Sequence, residues 1–304
     1  MGIDLHNIAL LGHAQDRGVG YTRTIGIGRQ ALFIDAPDLE RHRALRGLPA
    51  LVEPAAEPGR ARYFEPLMRQ WFGAATVDSV DASPYEQATL LHDMNLPWSA
   101  DQAGLASYDA VLDFGCLEHV FDFPVAWRNC TSLCRVGGHI LHALPANNLT
   151  GHGFYQFSPE LFFNLYRAKN GFELVGLWLV QKADPKHWWK VANPTTVRRR
   201  VTLRNAHEVY MLVVARKVAE LGPMPAPQQS DYAQHEWLKT GVPDGAVASG
   251  RSGAARALDA LGLLDAARAL RERLRAVGTS GLALPAPDYE RIVVADLLRR
   301  GKPA

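Results

Sequence analysis

The sequence predicts an open α/β sheet of seven strands, mostly parallel with an antiparallel last strand, followed by a helical C-terminal extension. Three observations carry that expectation. From Tyr108 to Glu160 the pattern runs strand, helix, strand, which implies a right-handed parallel crossover. The polar residues of that stretch gather just past the strand ends, where open α/β sheets place their ligands. Two later β-rich segments, Glu173 to Gln181 and His207 to Lys217, lie close enough in sequence to pair antiparallel.

Taken in order, the first strand is Tyr21 to Ile27, leading into Gly26-Ile27-Gly28 and then Arg29-Gln30. Asp38-Leu39-Glu40-Arg41 reads as helical, and Ala61 to Phe72 carries Phe64, Leu67, Met68 and Trp71 at helical spacing. Thr76 to Val80 is the second strand, ending at Asp81. Thr89 to His92 is the third, ending at Asp93-Met94-Asn95-Leu96-Pro97. The fourth, Ala110 to Asp113, turns into the corner Leu117-Glu118-His119; a helix follows, and a Gly137-Gly138 turn leads into the fifth. Between the sixth and seventh strands lie His187-Trp188-Trp189-Lys190 and the run Arg198-Arg199-Arg200 with Arg204. These read as a solvated basic loop with a tryptophan anchor, or as a lid recognising an anionic substrate.

Residues 1–218 thus form the main domain, with an insertion at about 30–59. Pro223 to Ser230 has linker composition, setting a linker over 219–250 and a helical tail over 251–304. Within the tail, Ala254 to Ala276 has Leu258, Leu261, Leu264, Leu270 and Leu274 at helical spacing, and Tyr289 to Arg300 reads as a final amphipathic helix. These helices are expected to pack on the main domain or to pair with a second copy as a homodimer.

Composition narrows the class. With 304 residues the chain can bury a full core, and 47% hydrophobic residues describe a globular protein. No apolar run reaches the roughly 20 residues that span a bilayer, and no secretory signal is visible, so a cytoplasmic protein without membrane attachment is expected. Cys116, Cys130 and Cys134 cannot all pair, which fits reduced thiols. A net charge of +2 argues against nucleic acid as a partner.

Several residues have chemistry suited to a site. Asp81, at the end of the second strand, can accept both hydroxyls of a ribose, or simply form a turn with Ser83. The spacing from Gly28 to Asp81 exceeds the roughly 20 residues of dinucleotide folds, which is why an insertion is expected. His119, with an ordinary pKa near 6.5, can take a proton from an attacking hydroxyl; Glu118 can orient it, and His152 is the second candidate base. The loop Pro145 to Phe157 holds Asn147, Asn148, Tyr155 and Gln156, donors and acceptors for a polar small molecule, with Phe154 and Phe157 as an apolar wall.

The order Leu117-Glu118-His119-Val120 after a strand, Gly137-Gly138 before the next, and then His152 and Phe157-Ser158-Pro159-Glu160-Leu161 resembles class I S-adenosylmethionine-dependent methyltransferases. The resemblance is to the small-molecule branch with Leu-Glu-His after strand four, and it covers roughly Thr24 to Lys217. It implies a Rossmann-like sheet with S-adenosylmethionine over the strand ends, touching Gly26, Gly28, Asp81, Asp93, Met94 and Asp113. By the same resemblance Asp93 would accept from the adenine amine while Met94 packs the ring. Methyl transfer to a polar small molecule would follow, at a hydroxyl and with a sugar or glycoconjugate among the acceptors. The family usually carries three spaced glycines after strand one; here Gly26 and Gly28 remain and Arg29 stands where a further small residue is expected. Some relatives open a metal-binding corner with a Glu where this chain has Gly115. Glu118, His119 and His152 are still of ligating type, but no metal is assigned. A methyltransferase-like binding or scaffold protein without turnover is the alternative reading.

Overall fold

The structure, a computed structural model, describes residues 2–52, 61–99, 101–220, 222, 226–233, 284 and 287–299. Its first element is a helix that the strand-first reading did not place. Asp4 caps α1 (Leu5–Gln15) by accepting the Asn7 amide at 2.9 Å, and nearly the whole helix is buried. There follow β1 (Arg23–Ile27), α2 (Ala36–Arg46), α3 (Glu65–Trp71), β2 (Thr76–Asp81) and β3 (Leu90–Leu91). After β4 (Tyr108–Asp113) a single 3₁₀ turn (Leu117–His119) precedes α4 (Phe123–Leu133) and β5 (Cys134–Asn147). The remaining elements are α5 (Pro159–Leu165), β6 (Phe172–Gln181), β7 (His187–Val191), α6 (Pro194–Val197), β8 (Val209–Lys217), α7 (Ser230–Ala233), β9 (Tyr289–Val293) and α8 (Val294–Arg299).

The strands form one mixed sheet in the order β3-β2-β1-β4-β5-β8-β6-β7-β9. From β3 to β5 every pairing is parallel. β8 inserts antiparallel between β5 and β6, as expected for the last strand of the main domain. Alternate residues along the central strands face opposite layers, as strand geometry requires. Val111, Ile140 and Val213 pack under α4 and α5. Ala110, Leu112, Leu141, Leu212 and Val214 pack under α1 and α3. Burial on both faces explains why these strands read as near-continuous apolar runs. This is a three-layer, Rossmann-like arrangement, and its parallel half reverses direction of strand order between β1 and β4.

Three expectations are corrected. The sheet has nine strands among the described residues, not seven. His187-Trp188-Trp189-Lys190 is a strand rather than a lid: Trp188 and Trp189 are buried, and the Trp188 indole donates to His6 Nδ1 at 3.0 Å. The basic run beside it is likewise structural, with Arg199 on Asp288 and Arg200 on Asp231. Second, Tyr289 to Arg300 is not one helix. Its first half is β9, antiparallel to β7, and only its second half is helical; α8 then buries Val294, Leu297 and Leu298 among side chains of α1. Third, Gly137-Gly138 is not a turn ahead of β5. It lies inside the strand, where the register slips between the Tyr108 and Ala110 pairings. The helix expected over Ala254 to Ala276, and with it the proposed dimer face, falls outside the described residues, as does most of the linker. No helix among the described residues is long and apolar enough to cross a membrane.

Candidate active site

Parallel strands in the order β3-β2-β1-β4-β5 deliver their C-terminal ends to one edge of the sheet. Gly28, Asp81, Asp93, the 3₁₀ turn and the loop after Asn147 therefore emerge side by side, across the point where strand order reverses. Hydrogen bonds tie these loops together. Gly28 donates to Val80 O at 2.7 Å, and His92 to Asp81 O at 2.9 Å. Asp122, just past the 3₁₀ turn, donates its amide to Asn95 Oδ1 at 2.9 Å. Asn129 of α4 holds the following segment, bonding Leu96 O and the Trp98 amide, each at 2.8 Å.

The densest chemistry lies after β4. The Glu118 side chain is 0% exposed, and neither carboxylate oxygen has a hydrogen-bond partner among the described residues. His152 Nε2, also without a partner, stands 3.4 Å from Glu118 Oε1, and His119 Nε2 stands 3.7 Å from it. The two imidazole rings, tilted at 60° to each other, have centres 5.2 Å apart. Distant sequence meets here because the Phe154 and Tyr155 amides both donate to Glu118 O, at 2.8 and 3.2 Å, folding the loop that carries His152 onto the turn. Gly153 permits that approach: a Cβ there would stand 2.8 Å from Glu118 O and 3.1 Å from His119 Nδ1. Burial, reinforced by the nearby Asp113 carboxylate, pushes the Glu118 carboxyl up to about 8. Burial lowers both histidines below their ordinary value, so neutral imidazoles face this carboxyl. Phe121 and Phe154, 74% and 68% exposed, form an edge-to-face pair beside the cluster.

Asp113 does not join this group. It is wholly buried, with Oδ1 accepting the Cys116 and Leu117 amides at 3.1 and 3.2 Å and Oδ2 meeting His142 Nδ1 at 2.7 Å. Its carboxylate shapes the turn. The polar residues expected to contact substrate are also engaged. Asn147 donates to Asn205 Oδ1, Asn148 to Asn205 and to His207 O, and Gln156 Oε1 accepts the Leu149 amide. The Tyr155 hydroxyl donates to Phe121 O at 2.6 Å. Missed altogether were His142, Tyr166 and Trp127. Tyr166 OH meets His142 Nε2 at 2.5 Å and accepts the Trp127 indole at 3.0 Å, completing a buried polar chain behind the turn. A histidine inside the apolar run of β5 was the available signal.

The fit to an S-adenosyl group can be judged at β1 and β2. Asp81, half-buried, accepts the Ser83 amide on Oδ1 at 3.1 Å, and its place at the strand end suits a ribose diol. Met94 is buried and Asp93 exposed, its Oδ1 accepting the amide and side chain of Asn95. The turn after β1 differs from an open glycine cradle. Gly28 is left-handed at φ 74°, and Gly26 is so close to Gly28 O that a Cβ would lie 2.9 Å from it. Gln30 fills the hollow, donating to Ile27 O at 2.6 Å, and its Oε1 is buried without a partner among the described residues. Such an orphaned acceptor suits an ammonium group. Arg29 bonds Glu65 at 2.7 Å and Glu86 O at 2.8 Å and lies over Tyr63. The residues present fit the group, with a side-chain acceptor in place of part of the usual backbone cradle.

Solved structures with a similar chain path include methyltransferases. One is the 1,6-didemethyltoxoflavin-N1-methyltransferase of Burkholderia thailandensis, bound to 1,6-didemethyltoxoflavin and S-adenosylhomocysteine (16% identity, 71% of this chain and 78% of that one, TM-score 0.38). Others are the N-methyltransferase NodS of Bradyrhizobium japonicum (10% identity, 70% and 96%, TM-score 0.38) and a methyltransferase of Thermotoga maritima (15% identity, 70% and 91%, TM-score 0.34). No protein-family model and no curated protein matches the chain. At this distance the likeness is one of chain path, and the site must speak through its own residues.

Proposed function

We propose that this protein is an S-adenosylmethionine-dependent methyltransferase acting on a small molecule, with a hydroxyl as the methylated group. One observation supports this most: a ribose-type carboxylate, Asp81, and a buried proton-handling cluster, Glu118 with His119 and His152, rise from the ends of β2 and β4, the strands on either side of β1, across the strand-order reversal. Bound there, the cofactor supplies an electrophilic methyl group on a sulfonium. The chain's own work is alignment and exclusion of water. Asp81 would accept the ribose hydroxyls, Asp93 the adenine amine and Gln30 Oε1 the ammonium, with Met94 packing the ring. His119 is the base: neutral at physiological pH, partly exposed and backed by Glu118, it can take the acceptor's proton. His152 is placed to do the same from the opposite side.

Because Asn147, Asn148, Tyr155 and Gln156 hold their own loop, acceptor contacts fall to the two histidines and to Phe121 and Phe154. A hydroxylated ring stacked on those phenylalanines, a sugar among them, suits this wall. A second reading is favoured by one observation, the Gln30 side chain filling the turn after β1: a methyltransferase-like binding protein without turnover. Calorimetric titration with S-adenosylmethionine and S-adenosylhomocysteine, repeated on Asp81→Ala, separates the outcomes. Micromolar binding lost in Asp81→Ala is expected. No heat with either ligand from folded protein would sink the enzyme reading and leave a scaffold.

A further inference from the structure

A carboxylate with both oxygens buried and unpartnered is an unstable arrangement, because removing a charge from water without compensation costs several kcal/mol. An ionised Glu118 would be in that state, since both its oxygens lack partners among the described residues, and two imidazole nitrogens point at it from separate segments. We propose that Glu118, His119 and His152 form a binding site for a divalent transition-metal ion. Their three ligand atoms all lie within 4.8 Å of one another. Tetrahedral ligands at about 2.1 Å from an ion stand about 3.4 Å apart, and the Glu118–His152 contact already has a separation of 3.4 Å and the Glu118–His119 contact 3.7 Å. The His119 ring, 46% exposed, has room to close the remaining distance.

A proton on Glu118 is the rival means of relief, but it provides one donor for two oxygens and leaves one imidazole nitrogen without a partner. A cation answers all three groups at once. One carboxylate with two imidazoles is a borderline ligand set, suited to Zn²⁺, Co²⁺, Mn²⁺ or Fe²⁺ rather than to Ca²⁺ or Mg²⁺. Three protein ligands would leave a coordination position open; with an ion bound, His119 and His152 would serve as ligands rather than as bases, and an acceptor hydroxyl at that position would release its proton to solvent more readily. The loop is built to hold this geometry: the two amides on Glu118 O fix His152, and Gly153 seats the backbone against His119.

The test uses the full chain, stripped with a chelator and titrated with Co²⁺ near neutral pH, with Zn²⁺ in competition. A visible Co²⁺ spectrum of low coordination number and about one bound ion per chain are expected. Glu118→Gln and His152→Ala are each expected to weaken binding at least about tenfold, and Gly153→Ala to weaken it while leaving every ligand in place. Circular dichroism confirms that each variant is folded. No Co²⁺ spectrum and no Zn²⁺ retained on dialysis from the folded parent protein, or the parent's affinity in both ligand variants, overturns the proposal. Neither readout needs cofactor or turnover, so failure here is distinct from failure of the methyltransferase reading.

Discussion

Asp113 and His142, both wholly buried, meet at 2.7 Å between the C-terminal halves of β4 and β5. Through its other oxygen Asp113 fixes the Cys116 and Leu117 amides, so the pair sets the pose of the turn that carries Glu118 and His119. Asp113→Ala would leave two amides and an imidazole unpartnered in the core. The expected loss of stability is about 3 kcal/mol or more, read from urea unfolding. Tyr166→Phe strands His142 Nε2 and the Trp127 indole, for about 1–3 kcal/mol. Parent-like stability in both variants would show that the chain is incidental.

Two glycines flank His152 and only one is needed. Gly153→Ala places a methyl group 2.8 Å from Glu118 O, whereas a Cβ at Gly151 meets nothing within 4 Å. Gly151→Ala should therefore stay within about 0.5 kcal/mol of the parent, and Gly153→Ala should cost about 1–3 kcal/mol. Equal midpoints for the two variants in thermal unfolding would contradict this account of the loop.

Stability should fall on mild acidification. Burial lowers the pKa of His13, His42 and His139 from near 6.5 to about 4. Between those values the unfolded chain binds protons that the folded chain refuses, so their contribution is intact above pH 6.5 and is lost as pH falls toward 4. Glu118, raised to about 8, works the other way, its contribution fading as pH rises through 8. Three histidines outweigh it in the acid window. His42 stacks on Trp71, and both its ring nitrogens are buried without partners among the described residues. His42→Phe should narrow the gap between urea midpoints at pH 7 and pH 5, and an unchanged gap would refute the assignment.

Gln30 gives the cofactor reading a sharper edge. Its Nε2 closes the turn while Oε1 stays unpartnered. Gln30→Met keeps the volume and removes the acceptor together with the Nε2 donor that closes the turn, so S-adenosylhomocysteine affinity should drop by about tenfold. An unaltered calorimetric affinity would remove Gln30 from the site.

Local patterning revealed the sheet more readily than the partners of its side chains. The strands that became β1 to β6 and β8 are short apolar or alternating runs, bounded by turn residues or by the Leu-Glu-His corner, and periodicity reads such features directly. β7 escaped because Trp188 and Trp189 sit beside lysine and a basic run, so the segment looked exposed. Trp188 is buried against α1, more than 170 residues away in sequence, while Trp189 is buried in the opposite layer, and no local pattern reports that. Asn147 and Asn148 looked free for ligand for the same reason: their partners, Asn205 and His207, come from the segment before β8. The convergence of Glu118 and His152 was anticipated as residue types. Its buried, unpartnered character emerged only from the fold of the loop over the turn.

β9 has a consequence for how the chain comes to be folded. Trp189 pairs with Arg291, so about a hundred residues must be synthesised after β7 before that edge of the sheet is covered. Until then β7, with its tryptophans, presents an open hydrogen-bonding edge, the kind of surface on which nascent chains pair with one another. Chains cut short before Tyr289 should therefore aggregate rather than accumulate as folded protein, although every residue of the candidate active site would already be present in them.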